Sequence, residues 1–154
     1  MTLRTWFLLI ATGINLYLLG AACLMQATLY PLLGEVQTGL PAFHASLSHR
    51  LGLAFIFFEF LAAFAPLLLL SRRPGSTPLW AVWLCVGLGL TWIGMTVVWH
   101  LPAHLALSRG DASEGVMRTL LSSHAARTAL QAFKCGLMLW LVARAMEPAA
   151  SVAR

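Results

Sequence analysis

Charge is scarce in this chain. Its 154 residues include ten Lys and Arg and five Asp and Glu, 10% in all, whereas 60% are hydrophobic. A soluble domain carries about 25% charged residues, so the chain lacks the polar surface to coat itself in water. A mean hydropathy of +0.82 agrees. Cysteine is scarcer still. Cys23, Cys85 and Cys135 stand singly in three different apolar runs with no CxxC pair. That excludes a disulfide frame or a structural zinc site and leaves small packing residues. No HExxH, internal repeat or low-complexity tract occurs. The basic balance does not imply a nucleic-acid partner, because Arg excess in a membrane chain sets topology.

What is present is apolar length. Four runs long enough to cross a bilayer lie at about 6–29, 51–71, 79–101 and 126–146. They predict an all-α, four-helix transmembrane bundle as one domain over residues 1–154, with the lipid bilayer as its first partner. The start, "MTLRTWFLLIATGINLYLLGAACL", has the look of a lipoprotein signal, but its apolar character continues to Tyr30, too far for a cleaved leader. Arg4, Arg72, Arg73, Arg144 and Arg154 fall on one side, and Arg50, Arg109, Arg118 and Arg127 on the other. The dense "SRRPGSTP" turn favours both termini in the cytoplasm, and a bacterial inner (plasma) membrane is the expected location.

All five histidines then share the opposite face: His44 and His49 around the first long loop, His100 and His104 where span three ends, His124 where span four begins. Both long loops lie there too. Val36, Leu40, Phe43 and Leu47, and again Val116, Met117, Leu120 and Leu121, recur at helical spacing. They predict short interfacial helices in those loops, the second capped by Asp111 or Ser113. Pro102 is expected to end span three near Leu101, leaving His104 in the loop.

The spans carry polar groups. Glu59 sits nine residues beyond Arg50, about 13 Å deep at the helical rise. An ionisable residue at that depth is a functional or paired site by default. Lys134 lies seven residues beyond Arg127 on the same stripe, at a depth that predicts a Glu59–Lys134 ion pair. Asn15, Leu19, Ala22 and Gln26 share one face of span one, a seam for interhelical hydrogen bonds. Trp6, Trp80, Trp83, Trp99 and Trp140 sit near span ends as an aromatic belt, with Trp92 in mid-span.

Several stretches together resemble a small four-span membrane family that includes fungal anthrone oxygenases and many bacterial proteins. Tyr30, Pro31, Phe43, His44, Arg50 and Glu59 fall on its Tyr-Pro, Phe-His, Arg and Glu positions. Pro102, His104, Gly110, Arg127, Thr128 and Lys134 fall on its second half, whereas His124, Ala125 and Gln131 replace aromatic or amide positions of the pattern. The resemblance covers most of the chain. It implies a membrane-embedded pocket open toward the histidine face and an oxygenase acting on a hydrophobic aromatic molecule without a cofactor. In that chemistry His44 or His104 is the base, Arg127 and Lys134 hold the oxyanion, and Glu59 orients them. Three alternatives stand beside it. A metal or haem could bind through His44, His104 and His124. A small transporter, expected as a homo-oligomer, would also explain the intramembrane charges, and an accessory subunit would use the loops for docking.

Overall fold

A computed structural model describes residues 1–36 and 38–147, less the side chains of Leu53 and Ala54; Arg154 lies outside the described residues. The chain folds as four long helices with no strand among those residues: α1 (Leu3–Glu35), α2 (Leu40–Arg72), α3 (Leu79–Ser108) and α4 (Glu114–Met146). All four contain stretches long and apolar enough to cross a membrane. Ile56, Phe57, Trp83, Val98 and Phe133 point outward in a band that water would not tolerate and lipid would. The protein is an integral membrane, all-α bundle.

The helices outrun the apolar stretches. Residues expected as separate interfacial helices are helical, but they extend the spans: α2 begins at Leu40 and α4 at Glu114, so both carry extra turns above the apolar segment. Ser113 precedes α4, and its backbone N–H donates to Asp111 Oδ1 at 3.0 Å, so the acidic residue shapes the entry. Pro102 does not end span three. The helix widens to a π turn over Thr96–His100 and continues to Ser108, with the Leu101 N–H reaching back to Thr96 O. A proline cannot supply the N–H that the preceding turn needs, and the wider turn re-routes the ladder around it. The same device precedes Pro31, where Met25–Leu29 form a π turn and Tyr30 N–H reaches Met25 O. Both π turns end at residues of the cluster described below.

Apolar packing is split into two ends. Leu8, Leu69, Val82, Cys85, Met138 and Leu141 fill the end near the 73–78 turn. Tyr30, Leu33, Leu40, Ala103, Leu107 and Leu120 fill the histidine end. Between them lies a polar layer beside a smaller apolar cluster of Leu18, Ala62 and Trp92. Gln131 Nε2 donates to Asn15 Oδ1 and to Asn15 O, both at 3.0 Å, so α1 meets α4 through Asn15. Gln26, the other amide of the expected seam, makes no such bond, and its Oε1 is buried without a partner among the described residues.

Close approach of α2 and α3 depends on a missing side chain. A Cβ on Gly89 would stand 2.7 Å from Ala63 O, and 3.3 Å from Lys134 Nζ. Gly89→Ala is therefore expected to lower stability by about 1–3 kcal/mol. Unfolding in mixed micelles measures it, and Gly87→Ala, where a Cβ meets open space, is the matched control.

Candidate functional site: a histidine cluster at the head of an apolar cavity

His100 and His104 are one helical turn apart on α3, and because the helix survives Pro102 they share a face. Their rings cross edge-on at 4.6 Å between centroids, with the two Nε2 atoms 3.1 Å apart. Each ring is held from behind. His100 Nδ1 lies 2.8 Å from Ser123 Oγ, whose hydroxyl donates to Leu120 O at 3.0 Å. His104 Nδ1 lies 2.9 Å from His44 Nε2. His44 Nδ1 in turn lies 3.1 Å from Ser108 Oγ, whose hydroxyl donates to His104 O at 2.9 Å.

Each of these contacts admits two proton arrangements. A serine hydroxyl that gives its proton to a backbone carbonyl accepts from the imidazole behind it. With both serines so arranged, His100 and His104 carry their protons on Nδ1 and present Nε2 as lone pairs. With the His44 relay reversed, His104 Nε2–H donates to His100 Nε2 across the 3.1 Å contact. Tyr30, buried at the start of the turn after the first π segment, stands with its hydroxyl 3.2 Å from His100 Nε2.

His124 completes the cluster from α4. Its Nε2–H donates to Ala22 O at 2.9 Å, and its ring meets Tyr30 edge-on at 4.5 Å between centroids. That leaves Nδ1 as a buried lone pair with no partner among the described residues. His49 is exposed and takes no part. Among the described residues, no group of three or more His, Cys, Asp or Glu side chains is arranged to hold a metal ion. Of the candidates His44, His104 and His124, the first two touch, and the third packs on Tyr30 and His100 instead.

One turn below His124, Arg127 donates from a terminal guanidinium nitrogen to Glu59 Oε1 at 3.0 Å. The guanidinium lies over the Trp92 ring at 4.0 Å, which accounts for the one mid-span tryptophan. Glu59 thus pairs with Arg127, and the expected Glu59–Lys134 pair is not formed. Lys134 points lower, where its Nζ donates to Ala62 O at 2.8 Å. Its role is to tie α4 to α2 in the core, away from the cavity.

A cavity of about 340 Å³ joins these groups. Its walls are apolar (Leu29, Leu33, Leu47, Leu51, Phe55), and its polar end carries Tyr30, His44, His100, His104, His124, Glu59 and Arg127. Ile56, Leu101 and Leu105 line it and are also exposed on the outer surface, so it opens toward lipid between α2 and α3. Its size lies within the roughly 300–1,000 Å³ of small-molecule sites. Beside it, Arg127 Nε and Thr128 Oγ1 are buried without partners among the described residues.

His100, Tyr30, Ser108 and Ser123 are the members of the cluster that the sequence reading did not single out as site residues. A signal existed, since His100, His104 and Ser108 repeat at i, i+4 and i+8.

His44, at the head of α2 above its spanning part, is held below the usual imidazole range by burial. Its folded value lies under its unfolded value, so the stability it supports is present above the unfolded pKa and is lost as pH falls through the folded one. Thermal stability is expected to drop as pH is lowered below about 6.5. A pH series of melting curves checks it, and His44→Gln, which does not titrate, should flatten that drop. Comparison with protein-family models, curated proteins and solved structures finds no match to this chain.

Proposed function

We propose that the cavity is the substrate site of a membrane-embedded enzyme that takes a small aromatic molecule with an ionisable oxygen from the bilayer and activates it for oxygenation. One observation carries this: an apolar cavity open toward lipid ends on buried, convergent acid–base and cationic groups. The apolar walls suit the ring. Arg127, whose Nε is buried and unpartnered, suits the oxyanion left when the substrate loses its proton. That proton is taken at the histidine end of the cavity, where unprotonated imidazole nitrogens wait. Glu59 holds the guanidinium in place. Oxygenation needs such an electron-rich anion, and the resemblance to anthrone oxygenases favours this chemistry over other uses of the same pocket. With both termini cytoplasmic, the histidine end faces outward.

The test is oxygen consumption by purified protein in lipid nanodiscs against a panel of hydroxylated aromatics, beside matched aromatics without the hydroxyl. Uptake restricted to the hydroxylated set supports the proposal. No uptake with any member, from protein that still binds them, removes the oxygenase part and leaves a carrier.

A further inference from the structure

We propose that His100 Nε2, His104 Nε2 and the Tyr30 phenol oxygen form a binding site for one divalent transition-metal ion of the imidazole-preferring kind, such as Zn²⁺ or Cu²⁺. The inference shares its cavity with the function proposed above and does not depend on any turnover.

The two Nε2 atoms stand 3.1 Å apart, and each ring has a polar partner behind its Nδ1: Ser123 for His100, and His44, backed by Ser108, for His104. With both protons on Nδ1, those partners accept and the two Nε2 lone pairs are free for one shared cation. Tyr30 brings its hydroxyl to 3.2 Å from His100 Nε2. Two nitrogens sharing an ion at about 2.0–2.1 Å stand roughly 2.9–3.4 Å apart for bond angles from square to tetrahedral. The observed spacing falls inside that range, and the i, i+4 pair on one helix is the arrangement that delivers it.

The surroundings match what an ion needs. A ligating imidazole ordinarily gives its other N–H to an acceptor, which fixes its orientation and raises its basicity. Here each ring has a group at Nδ1 able to accept, Ser123 Oγ and His44 Nε2, and the Ser123 and Ser108 hydroxyls are anchored to backbone carbonyls. Tyr30 supplies an oxygen that becomes anionic by releasing its proton to solvent, offsetting one of the ion's two charges. All three ligand residues line the cavity, so coordination positions remain open to a bound molecule. Arg127 and the apolar walls keep the roles given above whether or not an ion is bound. Two imidazoles and a phenol fit Zn²⁺ or Cu²⁺ better than Mg²⁺ or Ca²⁺, which prefer sets made only of oxygen.

The experiment uses detergent-purified full chain with any affinity tag removed and metal stripped by chelator. Zn²⁺ is titrated calorimetrically, and Co²⁺ is followed by its visible bands. One ion per chain is expected, with His100→Ala and His104→Ala each weakening affinity at least 100-fold. Ser123→Ala, which frees a ring without removing a ligand, should weaken it by about 10- to 100-fold. Tyr30→Phe should also weaken it, and His49→Ala should leave it unchanged. The proposal is overturned if neither ion binds in a 1:1 ratio, or if binding survives both histidine variants. Should those variants lose helical circular dichroism, Ser123→Ala and Tyr30→Phe decide, and unchanged affinity in both overturns it. Failure here leaves aromatic binding untouched, because that is measured on metal-free protein.

Discussion

Arg127→Met is expected to destabilise the bundle by about 3–5 kcal/mol, because it strands the Glu59 carboxylate among apolar side chains. The pair lies 3.0 Å apart between α4 and α2, with the arginine side chain 4% exposed and the glutamate 22%. Removing one charge leaves the other without compensation in a medium that solvates it poorly. Removing both is a different matter. An Arg127→Met/Glu59→Leu double variant should regain most of the lost stability, since a buried ion pair returns little over well-packed apolar groups. The contact of the guanidinium with Trp92 keeps the recovery incomplete. Unfolding of the single and double variants in mixed micelles gives the cycle. A double variant as unstable as Arg127→Met would show that Arg127 acts through packing alone.

The second large effect concerns turnover. His104→Ala should reduce oxygen uptake with a hydroxylated aromatic by roughly 100- to 10,000-fold, the usual worth of a positioned acid–base group. The loss should appear in kcat more than in KM, because the apolar walls and Arg127 that bind the ring and its oxygen remain. His49→Ala, at the exposed histidine of the same face, should change neither. A structural role for His104 would instead lower the melting temperature without a selective change in kcat.

Much of this architecture was legible in the residues. Apolar length gave the four spans, and loop bookkeeping gathered the histidines at one end. Of the two amides on one face of α1, Asn15 makes the expected interhelical bonds, to Gln131, and Gln26 does not. What was not legible depends on how helices stand against one another. Depth measured from assumed span ends set Glu59 beside Lys134. But α4 starts at Glu114, and its stagger against α2 brings Arg127 to the carboxylate instead. Pro102 reads as a helix end because local rules see the missing N–H. They do not see the π turn that absorbs it and keeps His104 on the face of His100. The serine anchors behind the rings escaped for the same reason: Ser123 meets His100 from another helix.

The most direct measurement is a calorimetric titration of the metal-free protein in lipid nanodiscs with 1-naphthol and, separately, with naphthalene. The same titrations are repeated on an Arg127→Gln/Glu59→Gln double variant, which carries no unpaired charge. Naphthol should bind one per chain, at least tenfold more tightly than naphthalene, and the double variant should bind the two alike. Equal binding of both by the native protein, or no binding of either, would contradict a site built for an apolar ring with an ionisable oxygen.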